Sequence, residues 1–120
     1  MRLTPSVLAD AAAEAVNIAR ADPVVWERMV GMGSAEMPAA MTATMLASDL
    51  VIHGWDLARA TGQEYRCLDD TAEMTRRFVE DSSEQGRDMG IYGAAVPVGE
   101  QAPALDIALG LSGRDPGWKP

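Results

Sequence analysis

The sequence predicts an all-α protein, a bundle of about four helices with a long glycine-rich loop before the last. Three observations predict it. Apolar residues recur at three- and four-residue spacing over much of the chain. The interruptions fall where proline can open a helix and glycine can close one. No stretch shows the strong period-2 alternation of a half-buried strand, and no segment repeats. The 120 residues are read as a single helical domain, 1–120.

Thr4 is placed to cap the first helix, with Pro5 at its first position, where the missing N–H costs nothing. Val7, Leu8, Ala11, Ala15 and Ile18 recur at helical spacing, and Asp22-Pro23 ends the run near Arg20. Residues 23–33 fit either a turn of helix at Val24–Trp26 or a short extended piece over Trp26–Val30, with Gly31 and Gly33 breaking regular structure. Pro38 reads as an early helical position. From there to about Thr61 only Gly54 interrupts the helical pattern, and Gly62 stops it. That helix spans about 24 residues, or ~36 Å. Met41, Met45, Leu50 and Leu57 fall on or near one stripe, widened by Val51 and Ile52.

Asp69 or Asp70 caps the next helix, which the pattern carries to about Glu84. Met74, Phe78 and Val79 form its apolar face, opposite Arg76, Arg77, Glu80 and Asp81. Gly86 to Gly99 reads as a loop whose apolar centre, IYGAAVPV, packs onto the helices. Pro103 opens a last helix, Ala104 to Leu111, ended by Gly113.

Ten basic residues against 18 acidic leave a net charge of −8. Such a surface repels phosphate backbones and anionic lipid, so neither nucleic acid nor a membrane is expected as a partner. Apolar residues make up 48%, enough for a core. Cys67 is the only cysteine, which excludes an internal disulfide and any CxxC site. No run approaches the 18 or more apolar residues of a membrane span. The N-terminus, MRLTPSVLAD, lacks a secretory apolar core. These features predict a cytoplasmic protein.

Chemistry-bearing residues are few. His53, the only histidine, lies four residues after Asp49, so the two share a helix face. A carboxylate and an imidazole so placed can share a metal ion, or form a hydrogen bond that orients the ring. Asp56, three residues on, can join them or pair with Arg59. Cys67 has no histidine or second cysteine near it in sequence and reads as a half-buried small residue. There is no G-x-S-x-G, no G-x-G-x-x-G and no P-loop. The eight methionines and three tryptophans read as core filling and packing anchors. No complete catalytic set is present.

Residues 48–63 read SDLVIHGWDLARATGQ. This run resembles the signature helix of the DinB-like metal-binding proteins related to mycothiol-dependent maleylpyruvate isomerase. Ala35-Glu36-Met37-Pro38 resembles the approach to that helix, and AVPVGEQAPALDIALGLSGRDPGW resembles a family branch with a GRDP-W end. The resemblance implies a helical bundle holding a divalent metal, zinc or nickel, at one end, with Asp49 and His53 as ligands. In the isomerase branch the metal works with the thiol mycothiol on a small organic acid. Aspartate stands where that branch has glutamate, one methylene longer.

Members of the family carry two further helices ahead of the matching region, and the second supplies another metal-ligating histidine. By resemblance this chain is the later part of the bundle. The implied metal site is then incomplete within it, and the uncovered face implies a homo-oligomer or a helical partner chain, with a small-molecule substrate if the chemistry is retained. The alternative is a non-catalytic helical interaction module that has lost its metal.

Overall fold

The protein is described by a computed structural model covering residues 4–120. Residues 1–3, part of the stretch read above for a secretory signal, lie outside the described residues. The chain divides into two compact units, one reaching to Thr42 and the other running from Ala43 to Pro120.

In the first unit, helix α1 spans Pro5–Ala21. The Thr4 hydroxyl accepts from the Val7 backbone N–H at 3.3 Å, and Pro5 opens the first turn. Asp22 ends α1 and starts a 3-10 turn, Pro23–Glu27, its carboxylate accepting from Val24 N–H at 3.0 Å. Then comes an antiparallel hairpin of β1, Met29–Met32, and β2, Ala35–Pro38, paired from Met29↔Pro38 to Met32↔Ala35. Gly33, with φ +63°, supplies the left-handed residue at the head of its two-residue turn. The all-α expectation holds in its coarse form: the fold is mostly helical, with this small two-stranded sheet added to it. Pro38 ends β2 rather than opening the next helix. Ala39, the first residue of that helix, donates its backbone N–H to Arg28 O at 2.8 Å.

Helix α2 spans Ala39–Ala60. Gly62, with φ +70°, closes it: its N–H bonds Arg59 O, and Gln63 N–H bonds Ala58 O at 2.7 Å, which satisfies two terminal carbonyls. In the second unit α2 buries Ser48, Val51, Ile52, Trp55 and Ala58. The expected stripe is split: Val51 and Ile52 are buried and Met45 partly so, while Leu50 is 73% exposed and Leu57 66%, and Met41, on the earlier turns of the helix, is exposed as well. The buried side carries small and β-branched residues around a single tryptophan.

Helix α3 runs Asp69–Asp88 and helix α4 Ala104–Leu111. Asp69 lies within α3, and Leu68 at its cap makes no side-chain capping bond; the two aspartates favour the helix as charges in its first turn. The buried stripe of α3 is Ala72, Thr75, Val79, Ser83 and Gly86, small enough for close packing. Ile52, Val79 and Ala108 form the core, with Phe78, Tyr92 and Leu111 against it.

The loop expected from Gly86 begins later, because α3 continues through that glycine. Gly86 is buried, and a Cβ there would lie 2.5 Å from the Tyr92 ring. The loop does pack down as expected: Val96 donates its N–H to Gly110 O at 2.8 Å. Among the described residues no helix is long and apolar enough to cross a membrane.

Candidate functional site

Helix α2 presents Asp49, His53 and Asp56 at successive turns of one side. Asp49 is exposed, and the His53 side chain is 69% exposed. His53 Nδ1 lies 3.1 Å from Asp56 Oδ2. Asp56 is in turn gripped by Arg114, whose Nε and Nη2 donate to its two oxygens at 2.7 and 2.8 Å. Arg114 Nη1 donates to the Ser112 hydroxyl at 3.1 Å, and that hydroxyl donates to Leu109 O at 2.8 Å. A chain of hydrogen bonds therefore ties the end of α4 to the histidine on α2.

The Arg114 guanidinium holds the Asp56 carboxyl below the usual carboxylate range, against partial burial that works the other way; the bond from His53 adds a smaller push downward. The ionised carboxylate can only accept, so the shared proton sits on Nδ1 of His53. In the neutral ring Nε2 keeps its lone pair. This is the arrangement by which a carboxylate fixes the tautomer of a ligating histidine.

Sequence spacing left Asp56 either with His53 or with Arg59. The structure pairs it with His53 and Arg114, a partner 58 residues away. Arg59 lies over the Trp55 ring, 5.5 Å from its centroid, and donates Nη2 to Pro116 O at 3.1 Å. Trp55 is buried, as a packing anchor should be.

Asp49 and His53 are two donors where a catalytic zinc takes three protein ligands and a structural one four. Asp56 is committed to Arg114 and His53. Among the described residues no cluster of three or more His, Cys, Asp or Glu side chains could hold a metal ion.

Cys67 is half-buried at the edge of an open cleft of about 760 Å³ that also touches Tyr65, Asp69, Glu73 and Asp106. Burial pushes its thiol up, and Asp69 adds to the shift. Little thiolate forms near neutral pH, which disfavours a nucleophilic role. A second cleft, of about 360 Å³, lies beside Trp55, Arg59, Arg114 and Trp118. Spacing along the chain gave no sign of it, since its walls come from α2 and from the segment after α4.

No protein-family model matches the chain, and neither a curated protein nor a solved structure matches it.

Proposed function

We propose that this chain is a divalent-metal-binding helical protein of the DinB-like kind, whose metal site is completed by a second chain. One observation carries the reading. His53 is held by a carboxylate that is itself locked by Arg114, on an exposed helix face that also bears Asp49. A histidine with no task on a solvated helix needs no such support.

The surroundings favour completion from outside. Leu46, Leu50 and Leu57 lie on the same face as Asp49 and His53 and are 51%, 73% and 66% exposed. Leucines flanking a pair of ligands suit burial by another helix. A second copy brings a second Asp49 and His53, which makes four ligands, the number a tetrahedral zinc takes. Two-fold pairing is the commonest oligomeric symmetry. Zinc or nickel fits the imidazole and carboxylate donors. Mycothiol and a small organic acid enter only through the family resemblance, as does the cytoplasmic setting.

The same leucines support a second reading, a non-catalytic interaction module. The readings part on calorimetric titration of chelator-stripped protein with zinc, with Asp49→Ala and His53→Ala in parallel. Micromolar binding that both substitutions abolish is expected. Self-association without zinc, indifferent to both substitutions, supports the module and overturns the metal reading.

A further inference from the structure

The cleft beside Trp55 and Trp118 holds two arginines in contrasting states. Arg114 is satisfied side-on: its Nε and Nη2 meet the two oxygens of Asp56. Arg59 offers the same edge of its fork and gets half as much. Nη2 donates to the single carbonyl oxygen of Pro116 at 3.1 Å, while Nε is buried and meets no acceptor. Among the described residues no carboxylate pairs with Arg59. A buried donor left unmade is costly, and each such group calls for a reason. The adjacent Nε–H and Nη–H of an arginine match the two oxygens of one carboxylate, as Arg114 demonstrates a short way along the same cleft.

The geometry points to Arg59 as the anchor of a small-molecule site for a monocarboxylate with a flat apolar body, with the Pro116 carbonyl as the group it displaces. Three features set the ligand class. The cleft, about 360 Å³, lies near the lower end of small-ligand pockets, the size of a single-ring acid. Trp118, 47% exposed, offers an aromatic face at its wall. Asp56 and Asp115 also line it, so a second carboxylate on the ligand meets repulsion. Displacement needs only a local shift. Residues 115–118 form a turn held by Gly117 N–H to Asp115 Oδ1 at 2.8 Å and Trp118 N–H to Asp115 O at 3.0 Å. The site uses neither Asp49 nor His53, although Asp56 and Arg114, which hold His53, also line the cleft.

The test uses the metal-free protein, residues 1–120. Benzoate is titrated against its neutral isostere benzamide and against the dicarboxylate phthalate, following tryptophan fluorescence and the Arg59 Nε–Hε resonance. Saturable binding of benzoate, a shift of that resonance, and weaker binding of the other two are expected. Arg59→Lys keeps the charge but loses the fork, and weakens benzoate by about tenfold, the worth of one charge-assisted hydrogen bond. Thermal melting of the variant checks that it folds, and the resonance in the unmutated protein reads the contact without it. Equal binding of benzoate and benzamide, an unmoved Arg59 resonance, or no saturation at tens of millimolar overturns the site.

Discussion

Arg114 grips Asp56 through two parallel hydrogen bonds, at 2.7 and 2.8 Å, across 58 residues of chain. The pair fastens the segment after α4 to the C-terminal part of α2, and the same carboxylate orients His53. Arg114→Met therefore acts in two ways. It removes a partly exposed ion pair, costing about 1 kcal/mol of stability in urea unfolding, and it frees the Asp56–His53 unit to move. The imidazole resonances of His53 broaden or shift in the variant while the helical circular dichroism is kept. Unchanged His53 resonances contradict the coupling.

Acid removes this contribution, and the sign follows from the direction of the shift. Arg114 lowers the folded-state pKa of Asp56, and Arg76 with Arg77 pulls Glu73 down to about 2. With folded values below unfolded ones, falling pH puts protons on the unfolded chain first. The stabilisation is full above the ordinary carboxylate values of about 4 and is lost as pH falls through the lowered ones. Melting curves of the protein and of Asp56→Asn, taken from pH 7 to pH 2, converge toward the acid end. A gap that widens in acid contradicts the account.

Gly110 sits inside α4, where alanine is ordinarily the better helix former by about 1 kcal/mol. A Cβ there would lie 2.5 Å from the Val96 carbonyl oxygen, and Val96 is held in place by its own N–H donating to Gly110 O at 2.8 Å. Gly110→Ala accordingly destabilises by about 1–3 kcal/mol despite the gain in propensity. Unfolding by urea measures it, and a stabilised variant sinks the packing argument.

Ser48 is wholly buried in α2, and its hydroxyl meets no partner. Removing an unsatisfied buried polar group is neutral or favourable. Ser48→Ala is expected to raise stability by about 1 kcal/mol, read as a higher urea midpoint at unchanged slope. A loss of more than about 1 kcal/mol would show that the hydroxyl is needed.

The fold was legible where local chemistry decides it. Thr4-Pro5 marks the start of α1, Gly62 closes α2, and Pro103 with Gly113 brackets α4, because caps and stops act on their nearest neighbours. Of the hairpin only a short extended piece over Trp26–Val30 was legible, as one of two alternatives, because its strands are four residues each and carry three methionines, which give little strand signal. The length of α3 escaped because Gly86, read as a breaker, is there to admit the ring of Tyr92. The buried face of α2 was read only in part: Val51 and Ile52 are buried as expected, but Leu50 and Leu57 were taken as core by size, whereas the buried side also takes the small Ser48 and Ala58. At the site, the shared face of Asp49 and His53 follows from spacing alone. The grip of Arg114 on Asp56 does not, since only tertiary structure brings 58 residues of chain together.

The outward leucines tie the fold to the proposed partner. Leu50→Lys changes a residue that is 73% exposed, so monomer stability should move by no more than about 0.5 kcal/mol. Association across the Asp49–His53 face should be lost. Thermal melting and size-exclusion chromatography in zinc separate these effects, and a variant that still associates rules that face out.

The most direct test of the central claim is sedimentation velocity of the protein with and without zinc, with metal content measured across the boundary. The account predicts a monomer without metal and, with zinc, a species of twice the mass carrying one zinc per two chains, abolished by Asp49→Ala. A protein that stays monomeric and metal-free in zinc, or that dimerises equally without it, contradicts the claim that Asp49 and His53 are half of a shared metal site.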